Sequence, residues 1–229
     1  RLAEEAQARG HDLFYYTPDH LAYQEGRITA RGHDLKVRRV QGAHAELGDV
    51  REVDLGEFDV VWLRQDPPFD MHYITSTHLL DRLAPGTLVV NDPFWVRNYP
   101  EKLLVLDFPD LTPPTTIARD LSVIRSFKQK HGDIILKPLY GNGGAGVFKL
   151  GHGDSNLNAL HELFIGINRE PLIAQKFLPD VEKGDKRVIL VDGEPQEVSC
   201  RVDLLVARGE TVYVADVKSG GVAPDPRQP

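Results

Sequence analysis

The chain has a single cysteine, Cys200, so no internal disulfide can brace it. A nucleophilic thiol would need a base that the sequence does not visibly set around it, and Cys200 reads better as a small, half-buried strand residue. No apolar run reaches the roughly 18 residues of a membrane-spanning helix, and no secretory leader is visible, so the expected compartment is the cytoplasm. Positive charge is also short. Against 34 Asp and Glu there are 27 Lys and Arg, a net charge of −7, and this argues against a general binder of nucleic acid or membrane surfaces. Any bound nucleotide must find local basic groups. The histidines, among them His11, His33, His44 and His152, show no metal-ligand spacing and read as surface residues. There is no internal repeat, and the only low-complexity tract is 220–229, a loop or frayed end. An initiator is missing too: the only methionine is Met71, and the first ten residues read as the second half of an amphipathic helix ending at Gly10. An α/β domain would place a strand before that helix, so the expectation is a chain incomplete at its N-terminus.

What is present is an ordinary globular composition, 41% apolar and 27% charged over 229 residues, enough for one large or two modest cores. The first half alternates strands and helices. A strand is expected at 11–17, a hairpin over 27–40 turning at Arg31-Gly32-His33, and a short, nearly continuous apolar strand at 59–64 covered on both faces. Pro67-Pro68 stops that strand, and Asp70 is placed to cap a helix over 71–83. A second buried strand over 87–91 and a helix near 100–108 follow, with Pro100 in its first turn. This order suggests an open sheet with parallel components, whose polar residues beyond the strand ends, Arg64, Asp66, Asn91 and Asp92, face a ligand crevice. The proline-rich stretch 110–115 is the expected boundary between domains 1–111 and 112–229. Beyond it the reading is strand, helix (121–131), strand (134–139), glycine loop, strand (147–150), helix (155–167), strand (172–177), and a hairpin turning at Asp192-Gly193.

The chemistry concentrates in Ile134-Ile135-Leu136-Lys137-Pro138-Leu139-Tyr140 and the loop Gly141-Asn142-Gly143-Gly144-Ala145-Gly146. Glycines let successive backbone N–H groups turn toward an anion, and a lysine at the strand end supplies a point charge to the same phosphates. A glycine-rich hairpin with a solvated lysine would look similar. Lys137 weighs against that reading, because a charge interrupting an apolar strand is costly unless it finds a partner or an exposed end. Lys102 opens a helix ahead of the second domain. The extended segment Ala174-Gln175-Lys176-Phe177-Leu178-Pro179 could pair an adenine edge through its backbone. In Gly184-Asp185-Lys186-Arg187 the charges fit a local ion-pair cluster as well as a ribose and phosphate contact.

Taken in order, six motifs resemble the ATP-grasp ligases, most closely the bacterial glutathione synthetase family. They are Arg64-Gln65-Asp66-Pro67-Pro68-Phe69-Asp70, Asn98 to Lys102, Asp110-Leu111-Thr112-Pro113, Asp133 to Leu139 with the glycine loop, Gln175 to Pro179, and Gly184 to Pro195. The resemblance implies an α/β chain: an open-sheet pre-ATP-grasp domain followed by an α+β ATP-grasp domain, incomplete at both ends. It implies Lys102 and Lys137 on the ATP phosphates, and Gly143, Gly144, Ala145 and Gly146 as the loop closing over them. Gln175, Lys176, Phe177 and Leu178 would form the adenine-side hinge, and Asp185 would lie toward the ribose. Arg64 and Asp66 would belong to the crevice for the peptide substrate. The implied reaction joins L-γ-glutamyl-L-cysteine to glycine through an acyl phosphate, giving ADP and phosphate, with Mg²⁺ on the phosphates and a homotetramer or other homo-oligomer as the assembly.

After Pro195 the resemblance weakens. Arg201 lies about one residue from the family's expected catalytic arginine, and no Glu-x-Asn metal strand follows, so no metal ligand is assigned; Glu210, Asp216 and Asp225 read as surface charges. Val212, Val214 and Val217 still alternate as a strand would. These residues alone are therefore expected not to catalyse ligation. Another ATP-grasp carboxylate–amine ligase and a noncatalytic ATP-binding module stay open as alternatives.

Overall fold

Two neighbouring residues with positive φ, Glu25 (48°) and Gly26 (90°), reverse the chain early in the molecule. In the computed structural model they form a two-residue hairpin turn of the kind whose twist suits antiparallel strands. The structure describes residues 2–183 and, beyond them, the backbone of four short strands. It divides into two compact units, Arg1–Asn98 and Tyr99–Pro229. The division falls ahead of the proline-rich stretch at 110–115, because the helix bearing Lys102 hydrogen-bonds to residues 138 and 141 of the second unit.

In the first unit, α1 (Leu2–Ala8) precedes β1 (Phe14–Tyr15), β2 (Leu21–Gln24), β3 (Arg27–Val37) and β4 (Ala45–Asp54), all four strands antiparallel about β3. The hairpin expected to turn at Arg31-Gly32-His33 is therefore one unbroken strand, and its turn lies at Glu25-Gly26. Gly32 serves a different need. A Cβ there would collide with the Tyr15 carbonyl oxygen and come within 3.0 Å of the Phe14 ring, so the glycine lets β1 approach closely. Strand β4 lacked a sequence signal, because it is an exposed, charged strand over most of its length.

Next come β5 (Val60–Trp62), α2 (Met71–Leu80), β6 (Leu88–Val90) and α3 (Pro93–Asn98). Strands β5 and β6 pair in parallel, Val61 opposite Val89, as the strand–helix–strand order suggests. Asp70 caps α2 as expected, its carboxylate accepting from the Tyr73 amide at 3.0 Å, a contact worth about 1 kcal/mol. The last turn of the expected helix, Asp81–Leu83, tightens to 3-10 geometry. The strands are not covered on both faces: Val61 and Val90 are buried, while Trp62 is 40% and Leu88 47% exposed. The core of this unit is Ile28, Ala30, Val53, Leu55, Val61, Leu63, Leu80 and Leu83, so it draws β5 in by one face only.

The second unit begins with α4 (Glu101–Leu104), followed by β7 (Thr115–Ala118), α5 (Leu121–His131), β8 (Ile134–Pro138), β9 (Phe148–Leu150), α6 (Leu157–Ile167) and β10 (Leu172–Lys176). The expected order of elements is met. The sheet runs β7-β10-β8-β9, antiparallel throughout. Alternation along the strands sends Ile134, Leu136, Leu150, Leu172 and Ala174 into one core with Ile124, Leu157 and Phe164 from the helices. Burying each large apolar side chain there contributes about 1.5–3 kcal/mol.

Strands β11 (Ile189–Val191) and β12 (Glu194–Gln196) pair as the hairpin expected around Asp192-Gly193, although those two residues lie outside the described ones. Strands β13 (Leu205–Arg208) and β14 (Thr211–Val214) form a second pair containing Val212 and Val214. Val217, Cys200 and the tail at 220–229 are outside the described residues. No helix among the described residues is long and apolar enough to cross a membrane.

Candidate nucleotide site

Because Ile134 and Leu136 face the core, the same alternation turns Ile135 and Lys137 to the opposite face of β8. Register extends that second face across the sheet: Ile135 lies opposite Lys149 and Gln175, Lys137 opposite Ile173, and Gln175 opposite Thr115. Lys137 is thus held next to the end of a strand, with Pro138, Leu139 and Tyr140 between it and the glycine loop.

Lys102 reaches the same place from α4. Its ammonium donates to the carbonyl oxygens of Pro138 at 2.9 Å and Gly141 at 2.5 Å. Burial, the larger cause, lowers the pKa of both lysines, and the Glu101 carboxylate opposes it in each. Lys137 depresses Lys102 further, so the two ammonium groups sense each other. The loop after them is built on positive φ at Gly143 (60°), Gly144 (74°) and Gly146 (70°), and the Ala145 amide donates back to Asn142 at 3.2 Å. Gly146 is also crowded: a Cβ would sit 3.1 Å from the Pro138 ring and 3.2 Å from Phe164. Two cations and a run of left-handed backbone therefore converge, an arrangement able to take an anion of several charges.

The hinge is more occupied than an unpaired edge would be. The Gln175 side-chain amide donates to Thr115 Oγ1 at 2.9 Å. The Lys176 and Phe177 backbone amides donate to the carbonyls of Pro114 and Asp133, each at 2.9 Å. Among the described residues the Leu178 amide donates no backbone hydrogen bond. Sequence reasoning missed Lys149, whose ammonium lies 3.7 Å from the centre of the Phe177 ring. The signal was available in the alternation of β9, which puts Lys149 on the face of Lys137. It also missed Glu101, the carboxylate that both lysines sense.

Arg64 and Asp66 lie in the first unit, after β5. Burial, and then the Asp66 carboxylate, raise the pKa of Tyr73, which packs on Phe69 at 5.1 Å between ring centres. Gln65 Oε1 is buried without a hydrogen-bond partner among the described residues. Asp92, expected to face a crevice, instead caps α3 by accepting from the Phe94 amide at 2.8 Å. Asp185 and Arg201 lie outside the described residues. Among those described, no group of three or more His, Cys, Asp or Glu side chains could hold a metal ion.

The lysine pair gives the site a pH signature. Each ammonium holds its proton less tightly in the folded chain than in the unfolded one, where lysine titrates near 10.5. The unfolded chain therefore binds more protons in the window just below 10.5, and the contribution of these groups to stability rises with pH there. Anion binding needs the ammonium forms and runs the other way. Calorimetric titration from roughly pH 7 to pH 10 is expected to show triphosphate affinity falling at lower pH than for surface lysines. Lys137→Gln should flatten the profile, and an unchanged profile would contradict the electrostatic role.

Residues 1–97 match the family model "Prokaryotic glutathione synthetase, N-terminal domain", and residues 101–212 match "Prokaryotic glutathione synthetase, ATP-grasp domain". The interval between the two matches contains the division between the compact units. Among curated relatives, the glutathione synthetase of Brucella melitensis is 59% identical over 194 residues, 85% of this chain and 62% of that protein. That of Agrobacterium fabrum is 58% identical, covering 85% and 61%, and that of Pseudomonas putida 42% identical, covering 90% and 65%. The chain thus spans somewhat under two thirds of these relatives' length. A solved RimK domain ATP-grasp protein from Sphaerobacter thermophilus superposes with a TM-score of 0.51 at 19% identity, over 78% of this chain and 58% of that one, and shows the fold alone. The chain belongs to the prokaryotic glutathione synthetase family.

Proposed function

We propose that the intact protein is a glutathione synthase, joining γ-glutamylcysteine to glycine at the expense of ATP. The relatives' name supplies the product, glutathione, and the substrates are those the family resemblance implies. In this chain, the observation that carries the reading is the convergence of half-buried Lys102 and Lys137 at the start of the glycine loop. In the proposed reaction a carboxylate oxygen of γ-glutamylcysteine attacks the γ-phosphorus and the bond to the ADP oxygen breaks. The glycine amine then attacks the acyl phosphate, phosphate leaves and the amine loses a proton. No protein nucleophile is needed; the chain has to hold charge and reactants in place.

Within this proposal Lys102 and Lys137 take phosphate oxygens, and Gly143, Gly144, Ala145 and Gly146 cover them. The hinge at 175–178 receives the base, with the Leu178 amide as donor. Arg64 and Asp66 serve the peptide substrate, while Asp185 toward the ribose and Arg201 in catalysis complete the assignment. Domain 1–111 then supplies the substrate side together with Lys102 on the phosphates, and 112–229 supplies the rest of the ATP site. Magnesium would accompany the phosphates. The described residues contain no cluster fitted to hold it, so no step is derived through the ion. A cytoplasmic setting and homo-oligomeric assembly belong to the same proposal, the latter tested by native mass.

Two measurements test the function. The purified chain should bind ATP in a calorimeter, and the intact protein should release phosphate from ATP only when γ-glutamylcysteine and glycine are both present. Release with other acids or amines would move the reading to another carboxylate–amine ligase. Binding by the intact protein without turnover would leave a nucleotide-binding module, and absence of binding would overturn the nucleotide site itself.

A further inference from the structure

Lys102 is engaged before any nucleotide arrives. Its ammonium already donates to two backbone carbonyls three residues apart, Pro138 at the end of β8 and Gly141 at the start of the loop. Those oxygens converge on one cation, and the segment between them is short enough for a single ammonium to hold as a turn. The far end of the loop has its own anchor, because Gly146 is wedged against the Pro138 ring and Phe164. Between these anchors the only backbone hydrogen bond within the loop, among the described residues, is Ala145 to Asn142. Left-handed glycines have wide conformational freedom, so a loop tied only at Gly146 would sample many states and lose entropy on closing around phosphates.

We propose that Lys102 is a positioning residue for the glycine loop, its ammonium clamping the Pro138 and Gly141 carbonyls so that the loop is formed in advance of its ligand. An ammonium has three N–H donors. Two are committed to the carbonyls, and the third stays free for a phosphate oxygen, so one lysine shapes the loop and contacts the ligand. Lys137 lacks this double role: it shares the electrostatics of the site but has no hydrogen bond to the loop among those of the described residues. The proposal rests on the nucleotide reading for the loop's purpose. The clamp itself is tested without nucleotide.

The experiment compares wild type, Lys102→Met, Lys102→Arg and Lys137→Met in the nucleotide-free protein. Backbone ¹⁵N heteronuclear NOEs at Gly143, Gly144 and Gly146 report loop order, and the amide shifts of Ile134, Ile135 and Leu136 report that the sheet is intact. In wild type the Lys102 ammonium protons should exchange slowly enough to be seen in a lysine-selective ¹H–¹⁵N spectrum. Lys102→Met should lower the loop NOEs and speed protease cleavage within the loop by roughly tenfold, as loss of a charge-assisted hydrogen bond predicts. Lys102→Arg should retain order, since a guanidinium can donate two N–H groups to two carbonyls. Lys137→Met should leave the loop as it is. An unchanged loop in Lys102→Met, equal loosening in Lys137→Met, or no rescue by arginine would overturn the clamp. Failure of wild type to bind ATP would instead strike the nucleotide reading and leave the loop result standing.

Discussion

Lys137→Met is expected to weaken ATP binding by about 10- to 100-fold, the cost of losing a charge-assisted hydrogen bond of about 1.5–3 kcal/mol. The same change should leave the melting temperature unchanged or raised. Half-burial holds the Lys137 ammonium below the usual lysine pKa, so its charge is a liability to the folded chain before a ligand arrives. Methionine keeps the apolar length that lies along the second face of β8, opposite Ile173, while removing the charge. A fall in affinity together with retained stability separates a ligand-binding lysine from a structural one. Calorimetric titration and thermal unfolding check the two halves, and an affinity within twofold of wild type would remove Lys137 from the phosphate site.

Gly32→Ala should destabilise the first unit by about 3 kcal/mol, the upper end of what overpacking costs. The glycine has an ordinary strand backbone, so the difficulty is space rather than dihedral strain. A methyl group would meet the Tyr15 carbonyl, which is backbone and cannot rotate away, and would press on Phe14. Either β1 leaves β3 or β3 bends, and each route breaks the pairing of Phe14 with Asp34 and Tyr15 with His33. Urea unfolding followed by circular dichroism measures the loss. A midpoint unchanged within error would mean that β1 is free to shift. The second unit, whose core is Ile124, Ile134, Leu136 and their neighbours, should keep its own unfolding transition.

Gly32 also shows where sequence reading fails. In a strand pattern a glycine flanked by polar residues looks like a turn, yet here it marks a close approach by a strand from elsewhere in the chain. The true turn, Glu25-Gly26, was masked because glutamate is an unusual occupant of positive φ. Likewise Val60, Trp62 and Leu88 spell a doubly covered strand by composition, but how many faces a neighbour covers is a property of the assembled unit. Local signals did better. Asp70 at a helix start, the strand–loop–strand around Lys137 and the hairpin spacing about Asp192-Gly193 all act over a few residues, and each was legible.

By itself the sequence determined the family, the succession of elements in the second unit and the two lysines with the glycine loop, because each depends on residue order over short spans. Only the tertiary structure decided what those residues do to one another. Lys102 and Gly141 are 39 positions apart, and Lys149 and Phe177 are separated by a helix and a strand. Hydrogen bonds and ring contacts fall off within a few ångströms, so such pairs become visible only once the sheet has set its register and brought them together.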